Sequence, residues 1–447
     1  MFDELILALS MEWTTLLTSF LSDYDLYISR LRGYFDTVID SRAPNIVHKL
    51  SDVLMSGFAM FLLKYPSVHR FEHQTKQEKL NLHALFGIEK LCSDAQMRNV
   101  LDNVDPDDLR FFFPDYYGQL KAQGVLEGYR YYENCLILAL DGVEHFHSQS
   151  VHCNNCQSKN MSNGTIHYSH SLLAASIVCP QQSEVFPCGI EPIVKKDGQE
   201  KNDCERNACV RLMDELKQNY AAEHLIFTGD ALFTYSAHIR RILDNPNHSW
   251  HFVLNIKPKS HKTLFNAFEA RRKVKALGFM EKREKGEIHR FHWANNLPLC
   301  ETAADIRVNM LWYEITDKKG KTTRFTWCSD FELNKKNVQK IMQVGRCRWK
   351  IENETFNTLK NQGYHFEHNY GHGYKHLATT FALLMFIAFA VDQAVQRTSD
   401  LFKKAWQAAK TKARVWETAK AVFMTQYIQS FNQLYIIIQQ LFQIKLE

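Results

Sequence analysis

Short, continuous apolar runs separated by helical patterns constrain the fold of this chain more than any other feature. The run CLILAL at Cys135–Leu140 ends at Asp141-Gly142, and the run HLIFT at His224–Thr228 ends at Gly229-Asp230. A segment that is apolar at every position is typical of a strand buried on both faces of a helix-covered sheet. The sequence therefore predicts an α/β core in which two strands each end at an acidic residue.

The pattern around these two strands predicts the remaining elements. From residue 129 the predicted order is three strands, a helix, a strand, a helix and a strand, with the further strands at His167–Val178, Glu184–Val194 and Trp250–Ile256 and the helices at Cys204–Asn219 and Tyr235–Leu243. Apolar residues at three- and four-residue spacing predict helices in 1–128, among them Trp13–Leu31 and Ile46–Leu63, and again over 337–362 and 375–447.

Breaks in this pattern predict a core that is interrupted once. We expect a helical N-terminal region over 1–128, a core formed by 129–256 and 335–395, an insertion over 257–334, and a helical C-terminal region over 396–447. The insertion is expected to be rich in β-structure, because Ile306–Thr316 and Thr322–Cys328 flank Gly320 in the pattern of a hairpin. In the N-terminal region, Asn81–Phe86 and the helix capped by Ser93 could form a helix-turn-helix, although two bundle helices show the same pattern.

The position of the charge matters more than its total. The 447 residues hold 54 Lys and Arg against 49 Asp and Glu, a net charge of +5, which permits an anionic partner without requiring one. Residues 255–290 hold 11 Lys and Arg against 4 Glu, a local net charge of +7. This stretch is expected to contact phosphates, while the alternative is a solvated face in which Glu281, Glu284 and Glu287 balance the lysines.

The sequence also predicts a compartment. The start, MFDELILALSMEW, has acids where a signal peptide needs basic residues. The longest apolar run, Leu377–Val391, stops at Asp392 and is shorter than a membrane span, so a buried helix is expected. Eleven cysteines without a secretory signal favour reduced thiols or a metal site over disulfides. We expect a cytoplasmic protein with no membrane segment.

Three acids form the predicted catalytic constellation. Asp141 and Asp230 follow central strands, and Glu352 lies on a late helix. Mg²⁺ and Mn²⁺ prefer such carboxylate oxygens, and two ions can drive phosphoryl transfer. Taken singly, each Asp reads as a turn residue and the Glu as part of a solvated helix face. An acid on the first strand, an acid after the fourth and an acid on the helix after the fifth are together typical of the ribonuclease-H-like fold.

Three motifs resemble those of the DDE transposases of bacterial insertion sequences. GRCRWKIENETFNTLKNQGYHFEHNYGHG at Gly345–Gly373 is similar to their C-terminal Arg-Trp-x-Ile-Glu signature, Ala139–Gly142 to their first acid motif and Thr228–Phe233 to their second. The resemblance covers roughly 130–395. It implies a ribonuclease-H-like core, a β-rich insertion, catalytic and metal-binding roles for Asp141, Asp230 and Glu352, and two Mg²⁺ ions.

The same resemblance implies an activity and partners. Such enzymes cleave the ends of a mobile element and join the 3′-hydroxyl to target DNA. The implied partner is double-stranded DNA, both as terminal inverted repeats and as target, bound by a dimer on the bacterial nucleoid. A repressor that binds DNA without cutting it and a nuclease of the same fold remain alternatives.

This sequence departs from the family pattern at two positions. Gly345 stands where a Tyr is usual, and Leu359 stands where a Lys is usual, with Lys360 one residue later. Glu354 is therefore a rival for the third acid, because Lys360 lies six residues beyond it. The Arg-Trp-x-Ile frame favours Glu352.

Six residues are predicted to contact DNA. Arg348 lies one helical turn before Glu352 and can grip a phosphate, and Lys360 lies two turns beyond it. The others come from the basic insertion: Lys257, Lys259, Arg290 and Trp293. The Trp293 ring could stack on a base, with Trp312 as its rival. The alternative is that both tryptophans fill the core of the insertion.

A separate motif has the spacing of a zinc site. Cys153 and Cys156 are followed by His167 and His170, which gives Cys-x₂-Cys and then His-x₂-His. Tetrahedral Zn²⁺ suits this set of ligands, and its role would be structural. The alternative is a pair of buried free cysteines.

Overall fold

A computed structural model describes residues 24–194 and 204–443. The N-terminal helices are α1 (Tyr24–Thr37), α2 (Leu50–Leu62), α3 (Val68–Thr75), α4 (Lys79–Phe86), α5 (Asp94–Leu101), α6 (Pro106–Arg110) and α7 (Phe112–Ala122), followed by a 3₁₀ turn at Val125–Tyr129. This confirms the helical prediction from residue 24 onward. The first part of the predicted helix Trp13–Leu31 lies outside the described residues.

Helices α4 and α5 pack as members of a bundle. Leu82, Leu85 and Phe86 of α4 are buried. The Asn81 amide donates to the main-chain carbonyl of Phe423 at 2.7 Å, which fixes α4 to the C-terminal part of the chain. Ser93 caps α5 by accepting a hydrogen bond from the Gln96 N–H at 3.3 Å, as its sequence predicts. The packing supports the bundle alternative over a helix-turn-helix.

The core sheet has mixed strand directions. Its elements are β1 (Leu136–Ser148), β2 (Gln157–Asn160), β3 (Ile166–Val178), β4 (Phe186–Ile193), α8 (Glu205–Tyr220), β5 (Leu225–Gly229), α9 (Ser236–Leu243) and β6 (Trp250–Asn255). The strand order is β4-β3-β1-β5-β6, with β2 also along the outer side of β3. The pairs β1/β3 and β3/β4 are antiparallel, and β1/β5 and β5/β6 are parallel. The predicted order of elements is confirmed. The short polar strand β2 was missed because it has no apolar pattern.

Strand β1 does not end where the sequence predicted. It continues through Asp141 to Ser148, because its antiparallel pairing with β3 continues to the pair Ser148–Tyr168. Its parallel pairing with β5 stops at the pair Leu140–Gly229. The apolar run marked only the part of β1 that neighbouring strands cover on both sides.

The insertion extends the core sheet. It consists of α10 (Lys262–Lys273), β7 (Gly278–Glu284), β8 (Glu287–Cys300), β9 (Ala303–Thr316) and β10 (Thr322–Ser329). These four strands are antiparallel in the order β10-β9-β8-β7, and β10 pairs antiparallel with β6 through Cys328 and Leu254. The β9–β10 hairpin was predicted. The β7–β8 hairpin was missed, and its turn, Lys285-Gly286, has positive φ angles of 51° and 82°.

The remaining elements are helical. They are α11 (Val338–Cys347), a π-helical turn at Ile351–Phe356, α12 (Asn357–Asn361), α13 (Leu377–Thr398), α14 (Asp400–Ala409), α15 (Lys412–Thr425) and α16 (Phe431–Gln443). The helical prediction for 337–362 is confirmed, with a wider π turn in its middle. Such turns often occur at functional sites.

Helix α13 has the length and composition of a membrane span. Its 22 residues are apolar enough, and every residue in the most apolar window is buried inside the protein. It packs against α2, which is itself buried along its whole length. The expectation that this segment is too short for a membrane span is wrong, because the helix continues past Asp392 to Thr398. Its expected burial is confirmed.

Candidate active site

The register of the sheet brings two of the predicted acids together. Leu140 and Gly229 are the last parallel pair of β1 and β5. Asp141 and Asp230 are the next residues after this pair, so both follow the same end of the parallel ladder. The sequence also predicted that both acids follow a strand end, but it placed the end of β1 at Asp141, whereas β1 continues to Ser148.

The third acid lies in the same cleft. Asp141, Asp230 and Glu352 all line a cleft of about 680 Å³. Glu352 comes from the π-helical turn, which contacts β1. Asp141, Asp230 and Glu352 are separated in the sequence by 89 and 122 residues, and folding brings all three to one cleft.

Arg348 connects two of these acids. Its Nη1 lies 3.1 Å from Oδ2 of Asp141, and its Nη2 lies 3.9 Å from Oε2 of Glu352. The Arg348 side chain is only 11 % exposed. The (i, i+4) spacing of Arg348 and Glu352 puts both on the side of the helix that faces β1.

The cleft has an excess of negative charge close to Asp141. Burial, with the charges of Asp230 and Glu352, raises the pKa of Asp141 to about 6 against the opposing effect of Arg348. Burial and the charges of Asp141 and Asp230 also raise the pKa of Glu205, at the start of α8. Arg348 and Lys257, whose Nζ lies 4.0 Å from Oδ2 of Asp230, do not balance the charge of these four carboxylates. The donor set fits a hard divalent cation such as Mg²⁺ or Mn²⁺.

Glu205 is a neighbouring acid that sequence reasoning missed. A Cβ on Gly142 would lie 2.6 Å from Oε1 of Glu205, so the glycine after Asp141 leaves room for this carboxylate beside β1. An acid in the first turn of a helix is common, because it interacts favourably with the helix dipole. Its sequence position therefore gave no signal of a site.

The raised pKa of Asp141 predicts a gain in stability when its charge is removed. Without added divalent ions, Asp141→Asn should raise the free energy of unfolding at pH 7.5 by about 1–3 kcal/mol. Each unit by which folding raises the pKa of Asp141 costs about 1.4 kcal/mol, and the loss of the pair with Arg348 offsets part of the gain. Above pH 6 the carboxylate is ionised in the native protein, and its burial lowers the free energy of unfolding. Below about pH 3 it is protonated in both states, and the difference should disappear. Denaturant unfolding at about pH 7.5 and about pH 3 measures this; an equal difference at both would contradict it.

Glu354, the rival third acid, faces elsewhere. It does not line the cleft of the three acids. Its charge acts on Lys412 at the start of α15. The two-residue offset from Glu352 therefore places the two carboxylates in different surroundings.

Three of the predicted DNA-contacting residues line the cleft. They are Arg348, Lys257 and Lys360. Lys257 Nζ is 4.0 Å from Oδ2 of Asp230, and Lys360 Nζ is 2.9 Å from Oε1 of Glu367. Lys259 is exposed and lines a neighbouring groove together with Arg206 and Lys262.

Trp293 and Arg290 lie away from the cleft. The Trp293 side chain is 8 % exposed and packs over Gly278, where an added Cβ would overlap its ring. Trp312 stacks on Phe268 with ring centroids 6.1 Å apart. Arg290 is paired with Glu281 at 2.9 Å. Both tryptophans pack within the insertion, which supports the alternative that they fill its core over the prediction that Trp293 stacks on a base.

Trp349 is the exposed aromatic residue of the cleft. It is 50 % exposed and lines the cleft beside Arg348. In the sequence, Trp349 stands out only as part of the Arg-Trp-x-Ile-Glu signature. Trp349 lies between Arg348 and Glu352, which both face β1, and this was the available indication that it lines the same cleft.

The Cys and His cluster differs from the predicted zinc ligands in one member. Cys153, Cys156 and His170 come together with His372, not with His167. His167 lies 3.6 Å from Glu144 instead. Residues three apart on a strand point to opposite faces of the sheet, so His167 and His170 cannot share a ligand set.

The family to which the chain belongs follows from a comparison with known families. The transposase DDE domain family matches residues 152–390, which is more than half of the chain. The chain belongs to this family. Asp230 and Glu352 lie inside the matched segment, and Asp141 lies eleven residues before it. No curated protein matches the chain. Family membership indicates a transposase that acts on DNA.

Proposed function

We propose that this chain is an insertion-sequence transposase that cleaves the ends of its element and joins the 3′-hydroxyl to target DNA. The observation that carries the proposal is the meeting of Asp141, Asp230 and Glu352 in one cleft of a transposase-family chain. In the proposal, these three residues are the catalytic acids.

A ribonuclease-H-like core is part of the proposal. The strand order β4-β3-β1-β5-β6 supports it, because β1, β3 and β4 pair antiparallel with their neighbours and β5 and β6 run parallel to β1. The proposed domains are this core over 129–256 and 335–395, the insertion over 257–334, and helical regions over 1–128 and 396–447. The N-terminal region is proposed to bind the DNA ends.

Asp141, Asp230 and Glu352 would hold the Mg²⁺ or Mn²⁺ ions. When bound, a pair of such ions can activate an attacking water or 3′-hydroxyl and stabilise the leaving oxygen of a phosphodiester. The raised pKa of Asp141 supports cation binding, because partial burial and the charges of Asp230 and Glu352 outweigh the effect of the Arg348 guanidinium beside it.

The basic side chains would position the DNA backbone. Arg348, held between Asp141 and Glu352, offers guanidinium N–H groups that can donate to a phosphate oxygen. Lys257 and Lys360 on the rim of the cleft would contact neighbouring phosphates as point charges. Trp349 presents the ring on which an unpaired base could stack.

The proposed partners follow from the reaction. We expect a dimer on double-stranded DNA, because two element ends must be brought together. The bound DNA would comprise the terminal inverted repeats and the target. The protein would meet this DNA in the bacterial cytoplasm, on the nucleoid.

A cleavage assay tests the function. A labelled duplex with the inverted repeats that flank the gene is incubated with the protein and either Mg²⁺ or EDTA. A transposase should nick the repeat end only with the metal, and then give joined product with a target duplex. Nicking without joining would show a nuclease, and tight binding without cleavage in Mg²⁺ or Mn²⁺ would show a repressor. Either result contradicts the proposal.

A further inference from the structure

Four side chains meet at a point that the proposed reaction does not use. The Sγ atoms of Cys153 and Cys156 lie 4.0 Å apart, and Nε2 of His170 lies 3.5 Å from the first and 3.3 Å from the second. Nε2 of His372 lies 3.2 Å from Sγ of Cys156 and 3.3 Å from Nε2 of His170. All four ligand atoms lie within 4.8 Å of one another.

These distances match the edges of a tetrahedron around zinc. With Zn–S near 2.3 Å and Zn–N near 2.0–2.1 Å, tetrahedral angles give about 3.8 Å between sulfurs, about 3.6 Å between sulfur and nitrogen, and about 3.3 Å between nitrogens. Five of the six separations in the cluster are within about 0.4 Å of these values, and the sixth, between Cys153 and His372, is at most 4.8 Å. Two thiolates and two imidazoles are ligands that zinc prefers, whereas Mg²⁺ prefers oxygen.

The local backbone is built to present the four ligands. Cys153 and Cys156 lie in a tight turn, in which the Cys156 N–H donates to the Cys153 carbonyl at 3.2 Å. His372 lies between Gly371 and Gly373, whose φ angles of 140° and 69° favour glycine over other residues. Two positive-φ positions on either side of one histidine turn the chain sharply at the ligand.

A hydrogen bond fixes the ring of His372. Its Nδ1 lies 2.8 Å from the main-chain carbonyl of Gly373. With Nδ1–H donating to that oxygen, the Nε2 lone pair points to the cluster. Metal-bound histidines usually make such a bond with the nitrogen that does not contact the metal.

We propose that Cys153, Cys156, His170 and His372 bind one structural Zn²⁺ ion. Four protein ligands complete its coordination and leave no position for substrate, so the ion is structural. It would tie the Cys turn and β3 to the segment that follows the Glu352 helix. The site would therefore hold that segment against the core independently of the three acids.

Metal analysis of the purified full chain tests this proposal. We expect one zinc per chain, and a loss of at least about tenfold in zinc affinity for His372→Ala and for His170→Ala. His167→Ala is the matched control, because His167 lies three residues from His170 on the same strand but outside the cluster. It should retain one zinc. Co²⁺ in place of zinc should give the absorption spectrum of a tetrahedral site with thiolate ligands, and His372→Ala should change it.

The native chain alone can overturn the proposal. Less than stoichiometric zinc after supplying the ion to the reduced, folded protein would contradict it, whether or not any variant folds. Equal zinc in His372→Ala and native protein would also contradict it, as would a Cys153–Cys156 disulfide in protein kept under reducing conditions. Because zinc content is measured without DNA, failure here is separate from failure of the proposed transposase activity.

Discussion

Asp141→Asn is expected to abolish Mg²⁺-dependent cleavage of element-end DNA. The rate should fall by at least about a thousandfold, because loss of a metal ligand removes several kcal/mol of stabilisation and each 1.4 kcal/mol is a factor of ten. An amide has the shape of the carboxylate but not its charge, so it cannot balance a divalent cation in the same way. Cleavage of labelled duplex and a gel-shift assay of the same DNA measure the effect.

DNA binding provides the internal control for this variant. Removing a negative charge beside the expected phosphate site should leave binding unchanged or slightly stronger. Glu144→Gln is the matched control, because Glu144 also lines the cleft on β1 but is not one of the three acids. It should cleave at close to the native rate. Native-rate cleavage by Asp141→Asn, or a loss explained entirely by lost DNA binding, would contradict the assignment of Asp141.

Asp392→Ala is expected to destabilise the protein by about 3–5 kcal/mol. Asp392 is 1 % exposed in α13, and its Oδ2 lies 2.5 Å from Nζ of Lys64, which is 3 % exposed. Tyr24 and Tyr364 also donate their hydroxyls to this carboxylate. The variant would leave one buried ammonium and two buried hydroxyls without their acceptor. Denaturant unfolding measures the difference.

Two further variants separate the buried pair from charge in general. Lys403→Ala removes an exposed pair, Nζ to Asp400 Oδ1 at 3.4 Å, and should change stability by less than about 1 kcal/mol. Lys64→Met combined with Asp392→Leu should recover only part of the loss, since both tyrosine hydroxyls still lose the carboxylate that accepts from them. A change below 1 kcal/mol for Asp392→Ala would contradict the importance of this cluster.

The core of the fold was predictable because its strands are covered on both sides. The apolar runs before Asp141 and Asp230 match the residues that pair in the parallel ladder. Strands with a solvent-facing side were harder to predict. The alternating β7 and β8 resemble a charged surface, and β2 is polar along its length. Sequence patterns report burial, so they miss strands that are held mainly by main-chain pairing.

The candidate site was predictable where it depended on motifs and not where it depended on distant packing. The signature around Glu352 and the two strand acids were sufficient to predict one cleft. His372 was missed as a partner of Cys153, because 219 residues separate them and only the folded chain brings them together. For Trp293, the sequence left open whether the ring stacks on a base or fills the core of the insertion. Its position over Gly278 depends on the β7–β8 hairpin, which the pattern did not reveal.

The most direct test of the catalytic assignment compares Glu352→Gln with Glu354→Gln in the Mg²⁺-dependent cleavage assay. Both variants remove one carboxylate from the same π-helical turn, but only Glu352 lines the cleft with Asp141 and Asp230. Glu352→Gln should lose at least about a thousandfold in cleavage rate, and Glu354→Gln should stay within about threefold of the native rate. Native-rate cleavage by Glu352→Gln, or loss of cleavage in Glu354→Gln alone, would contradict this assignment.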